Sequence, residues 1–349
     1  MRILFASIGT AGDVLPLIGV ARDVATLGHE VAMVLTPEMR PIAHRAGIAC
    51  FSLLSECLPS RPPAAMFHAQ KAPFAIWDLL VPRLPDMAVR GADAIREFTP
   101  DLVGTHCFAL GMRWACERLE VPTVNIVLSP QAFFHPRDRT IYIPETTTPP
   151  PCPALQVRMV RKLLAWRTDR RLNEVRDHLG MATRREVFFR ETTTGPCLAL
   201  WSACFRPALD GDPGRTCGFD WYDDDDVEGP PDPGLDRFLE QGRPPVIATF
   251  GTSAAQFPPD HVGDLIRAAR HIGRRVLLVM PNVPSFDAND VHHVRSAPYG
   301  LLLHRGCLTI HHGGIGTTAR AMRSGRPMIV IPHLFDQFDN AHRVRALGV

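Results

Sequence analysis

The chain has no CxxC pair, no apolar run long enough to cross a membrane as a helix, and almost no net charge. Its nine cysteines are scattered and odd in number, which argues against a disulfide framework or a zinc module and fits reduced thiols in a cytoplasm. A net charge of +2 over 349 residues gives no reason to expect nucleic acid as a partner. The opening Met1-Arg2-Ile3-Leu4-Phe5 is not a secretory leader, because the turn Gly9-Thr10-Ala11-Gly12 and Asp13 interrupt it too soon. A complete GxGxxG is missing after the first apolar run, where only Gly9 and Gly12 stand, so NAD binding is poorly supported. These absences point to a cytoplasmic chain with no transmembrane segment, leaving room only for peripheral membrane contact. At 46% hydrophobic and 21% charged it reads as a folded protein, long enough for two domains.

What is present alternates. Residues 3–7 form a short apolar run ended by Gly9, a buried strand. Residues 14–27 place apolar side chains at helical spacing with Gly28 positioned to end them, and 30–35 is a second strand. Residues 102–103 and 121–127 repeat the arrangement around a helix carrying Met112, Ala115 and Leu119. It resumes with strands at 246–250, 275–280, 308–311 and 327–331 and helices at 261–272 and 317–324. The class is α/β: two Rossmann-like doubly wound domains of parallel strands, with a ligand in the cleft between them at the strands' carboxyl ends. The expected division is 1–218, a linker at 219–235, and 236–349.

Three segments stand outside that rhythm. The linker carries the run Asp223-Asp224-Asp225-Asp226 beside Gly229-Pro230-Pro231, which reads as solvated chain rather than a metal site. Residues 59–85 are rich in bulky apolar side chains, among them Met66, Phe67, Phe74 and Trp77, and form either buried core or the wall of an apolar pocket. Residues 158–180 read as a basic, solvated helix with an apolar inner face.

The most specific stretch is His311-His312-Gly313-Gly314-Ile315-Gly316-Thr317-Thr318, followed by Pro332-His333-Leu334-Phe335-Asp336-Gln337. A helix that starts after glycines offers unpaired N–H groups and a positive dipole end, which suits a diphosphate. Asp336 and Gln337 can exchange hydrogen bonds with sugar hydroxyls. His311 and His312 do not make a metal site, because adjacent residues at a strand end face opposite ways. In the first half, Gly9 to Pro16 makes a tight turn that delivers Asp13 to a helix N-terminus, as a cap or as a reacting carboxylate. Gly251-Thr252-Ser253 repeats the strand–turn–helix device and offers hydroxyl and N–H groups to a phosphate.

Together these segments resemble family-1 glycosyltransferases of the GT-B fold, in the branch of sterol, glycopeptide-antibiotic and rhamnolipid glycosyltransferases. Within it the rhamnolipid-forming rhamnosyltransferases look nearest. The resemblance rests on Ile8-Gly9-Thr10-Ala11-Gly12-Asp13-Val14, Gly47-Ile48-Ala49, Arg237-Phe238-Leu239-Glu240-Gln241-Gly242 and Asp336-Gln337-Phe338-Asp339-Asn340-Ala341. It implies inverting transfer of a sugar from a UDP- or TDP-sugar to a hydroxyl of an apolar small molecule (a lipid hydroxy acid, sterol-like compound or natural product). Neither metal nor cofactor is implied. Asp13 would be the general base. His106 falls about where histidine-using members keep an aspartate that orients their base; it would tune or relay the proton, or simply line the wall. His312 would meet the donor diphosphate with Gly314, Gly316, Thr317 and Thr252, while Asp336 and Gln337 hold the sugar. Met66, Phe67, Phe74, Trp77, Phe133 and Phe134 would contact the acceptor.

Departures from the pattern are specific. Ser296 precedes Ala297-Pro298 where many plant members stack an aromatic ring on the base, and Arg320 stands where they carry a ribose-binding glutamate. Uridine and thymidine therefore both stay open. The chain stops at Val349, where relatives are expected to continue into further helices. Two other classes also stay open: a non-catalytic nucleotide-sugar-binding partner of another transferase, and a sugar-nucleotide epimerase on the same fold.

Overall fold

A computed structural model describes residues 1–59, 63–142, 151–222, 232–251, 259–281 and 288–349. The chain divides into two compact units, Met1–Tyr222 and Asp223–Val349. Residues 223–231, including the acidic run, lie outside the described residues.

The first unit is built on seven strands: β1 (Arg2–Ala6), β2 (Glu30–Leu35), β3 (Ala49–Ser52), β4 (Leu102–His106), β5 (Thr123–Val127), β6 (Cys197–Ala199) and β7 (Arg215–Thr216). They lie in the order β3-β2-β1-β4-β5-β6-β7, and every pairing is parallel. Leu4, Phe5, Ala6 and the last four residues of β2 are buried on both faces, as a parallel sheet covered by helices requires. The helix Ala11–Thr26 follows β1 and ends at Leu27, with Gly28 at a φ of +84° supplying the left-handed stop. Helix Leu84–Phe98 packs on helix Leu110–Arg118 through Gly111, where a Cβ would come within 2.7 Å of the Leu84 carbonyl.

The 59–85 segment contains the helix Ala72–Leu80, whose Trp77 joins the main core with Leu80, Leu84 and Phe188. The basic helix runs over Pro153–His178. Its inner face buries Val157 and Leu172, as expected, but also Thr168 and the charged Arg176. Its outer face differs from the purely solvated one expected, because it exposes Leu155, Met159, Leu163 and Trp166.

The second unit holds β8 (Val246–Thr249), β9 (Val276–Val279), β10 (Val291–Val294), β11 (Leu308–His311) and β12 (Met328–Val330), in the parallel order β10-β9-β8-β11-β12. It has its own core around Val246, Phe250, Ile266 and Leu278. Helix Gln337–Leu347 closes the described chain and is not among the helices the sequence pattern suggested. Both sheets reverse their winding direction once, between β1 and β4 and between β8 and β11. At such a switch point the connections leave in opposite directions and open a crevice at the strands' carboxyl ends. No helix among the described residues is long and apolar enough to cross a membrane.

Candidate active site

The first switch point brings together Asp13 and His106, which lie far apart in sequence. Beyond β1 the chain turns at Gly9, with a φ of +133°; a Cβ there would sit 2.3 Å from Asp13 Oδ2. Thr10 is the N-cap of the helix, and Asp13 reaches back to it. Asp13 Oδ2 accepts from Thr10 N at 2.8 Å and from Thr10 Oγ1 at 3.1 Å. Ser7 Oγ donates to the Asp13 carbonyl at 2.8 Å, fixing the backbone from the other side. Capping therefore occupies one carboxylate oxygen and leaves the other. Oδ1 faces His106 Nε2 at 4.0 Å, with the Asp13 side chain 34% exposed and that of His106 only 4%.

His106 is the last residue of β4. Burial pushes its pKa below the ordinary value, against the opposing pull of the Asp13 charge and the Ile8 backbone. The ring is thus held neutral beside a carboxylate. Cys107 Sγ lies 3.5 Å from His106 Nε2, but burial, aided by the Asp13 charge, pushes that thiol well above the ordinary range and keeps it un-ionised. Phe108 stands edge-on to His106 at 5.8 Å and to Trp77 at 5.9 Å, so the apolar core reaches the pair directly.

At the second switch point His312 sits between two glycines. A Cβ on Gly251, just after β8, would come within 3.0 Å of His312 Cε1; one on Gly314 would come within 2.5 Å of Nε2. Gly313 has a φ of +88°, and a Cβ there would strike Val330 Cγ1 at 2.7 Å. The glycines are thus required by backbone conformation and by ring clearance together. Gly314 caps the helix Ile315–Arg323, so Ile315, Gly316 and Thr317 occupy the first turn, where N–H groups have no acceptor within the helix. Burial, with a further push from His333, lowers the His312 pKa to about 4. His311 turns the other way: its Nδ1 accepts from Gly313 N at 3.1 Å and its Nε2 lies 3.5 Å from Met328 Sδ in β12.

The Asp336-Gln337 pair is held by its own loop. Gln337 Oε1 accepts from His333 N at 2.8 Å and Leu334 N at 2.9 Å, which commits the carbonyl half of that amide to the turn. Asn340 Nδ2 donates both to the Gly313 carbonyl and to Asp336 Oδ2, each at 2.9 Å, tying the acid to the glycine turn. Asn340 belongs to the motif that carried the resemblance, yet no role for it is legible there. Its chemistry shows only when both loops are placed. His333 likewise has no assigned role in the sequence, and Gly251, expected only as part of a phosphate-facing turn, also clears the His312 ring. Thr252 lies outside the described residues. Among the described residues no group of three or more His, Cys, Asp or Glu could hold a metal ion.

The six aromatic and apolar residues expected at the acceptor divide by burial. Trp77 and Phe133 are 3% and 4% exposed and pack as core, against Phe188 at 4.9 Å and Trp201 at 4.8 Å. Phe134 takes a left-handed φ of +48° and stacks on Tyr142 at 5.2 Å. Met66 and Phe74 are half-buried, with the Arg167 guanidinium over Phe74. The side chain of Phe67 lies outside the described residues.

Comparison with known proteins agrees with this architecture. Residues 275–349 match the family described as erythromycin biosynthesis protein CIII-like, C-terminal domain. The chain is 29% identical to the vancomycin aglycone glucosyltransferase of Amycolatopsis orientalis over 379 residues, spanning 100% of this chain and 85% of that one. It is 26% identical to the O-mycaminosyltylonolide 6-deoxyallosyltransferase of Streptomyces fradiae, spanning 100% and 84%. In fold it is similar to the Streptomyces sp. SF2575 glycosyltransferase SsfS6 complexed with thymidine diphosphate, with a TM-score of 0.66, 17% identity, and 99% and 86% of the two chains covered. The two parallel-sheet α/β units match the GT-B fold of solved glycosyltransferases. These likenesses support a glycosyltransferase of family 1 with that fold.

Proposed function

We propose that this enzyme transfers a sugar, with inversion and without a metal, from a thymidine or uridine diphosphate donor to a hydroxyl of an apolar natural-product-type acceptor. The observation that carries the reading is the state of Asp13: one oxygen is anchored to the helix start while Oδ1 is left beside a neutral, buried His106. The acceptor O–H gives its proton to Asp13 Oδ1, and its oxygen attacks the anomeric carbon. The bond from that carbon to the diphosphate breaks on the opposite face, which inverts the centre. His106 acts as a positioning residue, its ring N–H available to the carboxylate.

The leaving diphosphate settles on His312 and the first-turn N–H groups from Gly314 to Thr317, fixed donors aimed at the developing charge, with the Thr252 hydroxyl as a further donor by resemblance. Asp336 and the Gln337 Nε2 group hydrogen-bond the donor sugar, oriented by Asn340 and the 333–334 turn. Met66, Phe67, Phe74 and Phe134 contact the acceptor, with Trp77 and Phe133 backing that wall from the core. Thymidine is favoured as the base by the thymidine diphosphate held in a solved relative of this fold. We place the reaction in the cytoplasm, where nine unpaired cysteines stay reduced.

Asp13→Asn tests the mechanism, because asparagine keeps an acceptor for Thr10 N and so preserves the turn. Transfer should fall at least about 100-fold, with thymidine diphosphate affinity unchanged within a few-fold. Retained transfer would remove Asp13 as the base.

A further inference from the structure

The first four turns of the helix Pro153–His178 carry a stripe with no partner among the described residues. Leu155 is 55% exposed, Met159 62%, Leu163 48% and Trp166 75%. Scattered exposed hydrophobes are ordinary, but these stand at i, i+4, i+8 and i+11 and therefore line one face at 3.6 residues per turn. Exposed cations border the stripe on both sides: Arg158 and Lys162 along one edge, Arg167 and Arg170 along the other. No acidic residue occurs between positions 153 and 168. Arg161 is not part of the pattern, since it turns inward to Glu186 and Phe189. Arg170 also has Glu174 at 3.8 Å, one turn further on.

We propose that this face seats on an anionic phospholipid surface. Leu155, Met159, Leu163 and Trp166 enter the boundary between headgroups and acyl chains, while Arg158 and Lys162 reach the lipid phosphates with their stems lying along the apolar edge. Charge is what selects this occupant. A stripe with exposed cations on both edges and no acid from 153 to 168 matches a surface of phosphate groups. A second copy would instead face the same cations with cations of its own. None of these residues is itself a donor, base or acceptor group, and among the four border cations Arg167 alone lies over one, Phe74.

The test is flotation of the full chain with vesicles of three parts phosphatidylcholine to one part phosphatidylglycerol, beside vesicles of phosphatidylcholine alone. The chain should float with the anionic vesicles, much less with the neutral ones, and less again at high salt. Arg158→Gln combined with Lys162→Gln should weaken partitioning about 30-fold, from about 1 kcal/mol per cation. Leu163→Ser combined with Trp166→Ser should abolish it. All four substitutions are at exposed positions, so thermal melts should coincide with that of the parent, and turnover of a freely soluble acceptor should be unchanged. Three outcomes would overturn the proposal: no flotation of the folded parent, flotation indifferent to both double variants, or a parent dimer in sedimentation that Leu163→Ser/Trp166→Ser dissociates.

Discussion

Gly314 shows how little room surrounds the buried histidine of the donor site. Its φ of −58° suits any residue, so a substitution there carries no backbone strain. The whole effect of Gly314→Ala must come from a methyl placed 2.5 Å from His312 Nε2. The ring has to move out of its slot between Gly251 and Gly314. Calorimetry should show thymidine diphosphate binding weakened roughly 10- to 100-fold, with stability lowered by only about 1 kcal/mol. Unchanged affinity would mean that His312 does not contact the diphosphate. The neighbouring His311 makes a second residue-scale prediction. Burial lowers its pKa to about 3 and that of His312 to about 4, both below the ordinary 6.5. Their folded values are depressed, so the unfolded chain binds protons that the folded chain refuses. Stability of the second unit is therefore complete above about pH 6.5 and falls as the pH drops towards 4, by about 1.4 kcal/mol per pH unit for each histidine. Circular dichroism melts across that window should show the slope, and His311→Leu should roughly halve it.

At the scale of elements, the long helix Pro153–His178 is tied to its neighbours by buried charge as well as by apolar packing. Arg176 is fully buried and donates to Ala182 O at 2.9 Å, to Glu117 at 3.2 Å and to Glu191 at 3.3 Å, with its guanidinium over Trp114. Glu191 is itself only 4% exposed and also takes Arg113 at 2.9 Å and Arg184 at 3.2 Å. Three helices are joined through that one carboxylate. Arg176→Met should cost about 3 kcal/mol, towards the low end for breaking a buried pair because Arg113 and Arg184 remain. Arg184→Met, at a half-buried position, should cost less than about 1 kcal/mol. Urea midpoints would separate the two, and equal small losses would assign the helix's docking to Val157 and Leu172 alone. The elements that escaped sequence reading have different causes. β7 is only two residues long, and β10, Val291-His292-His293-Val294, lacks the unbroken apolar run that marks β8 and β9. Helix Leu84–Phe98 begins Leu84-Pro85, where a proline at the first turn reads equally well as a loop.

On the scale of the whole molecule, the two units differ in what reports on them. All five tryptophans, at 77, 114, 166, 201 and 221, fall in the first unit, and each unit has its own core. Tryptophan emission therefore follows Met1–Tyr222, while far-ultraviolet dichroism follows both. The proposed donor groups lie in the second unit. Thymidine diphosphate at 100 times its Kd should stabilise that unit by about 2.7 kcal/mol. The dichroism transition should move up more than the tryptophan transition. An equal shift in both would show that the units unfold as one cooperative block, and a shift in tryptophan alone would move the nucleotide to the first unit.

The sequence by itself determined the class of the chain and much of its donor loop. Alternating apolar runs fix strand and helix through local periodicity. Gly313 announces a turn whose left-handed φ of +88° favours glycine, and the resemblance drawn from those motifs agrees with the family the comparisons support. Tertiary structure decided what depends on distance and environment. Parallel pairing of β1 with β4 put His106 within 4.0 Å of Asp13 Oδ1, and no local pattern encodes which strands become neighbours. Burial set the charge states of His106, His311 and His312, because a pKa depends on solvent access that the sequence does not display. Packing also decided which face of the basic helix points outward. Period alone shows that a helix has two faces; only the fold shows that Leu155, Met159, Leu163 and Trp166 lie on the open one.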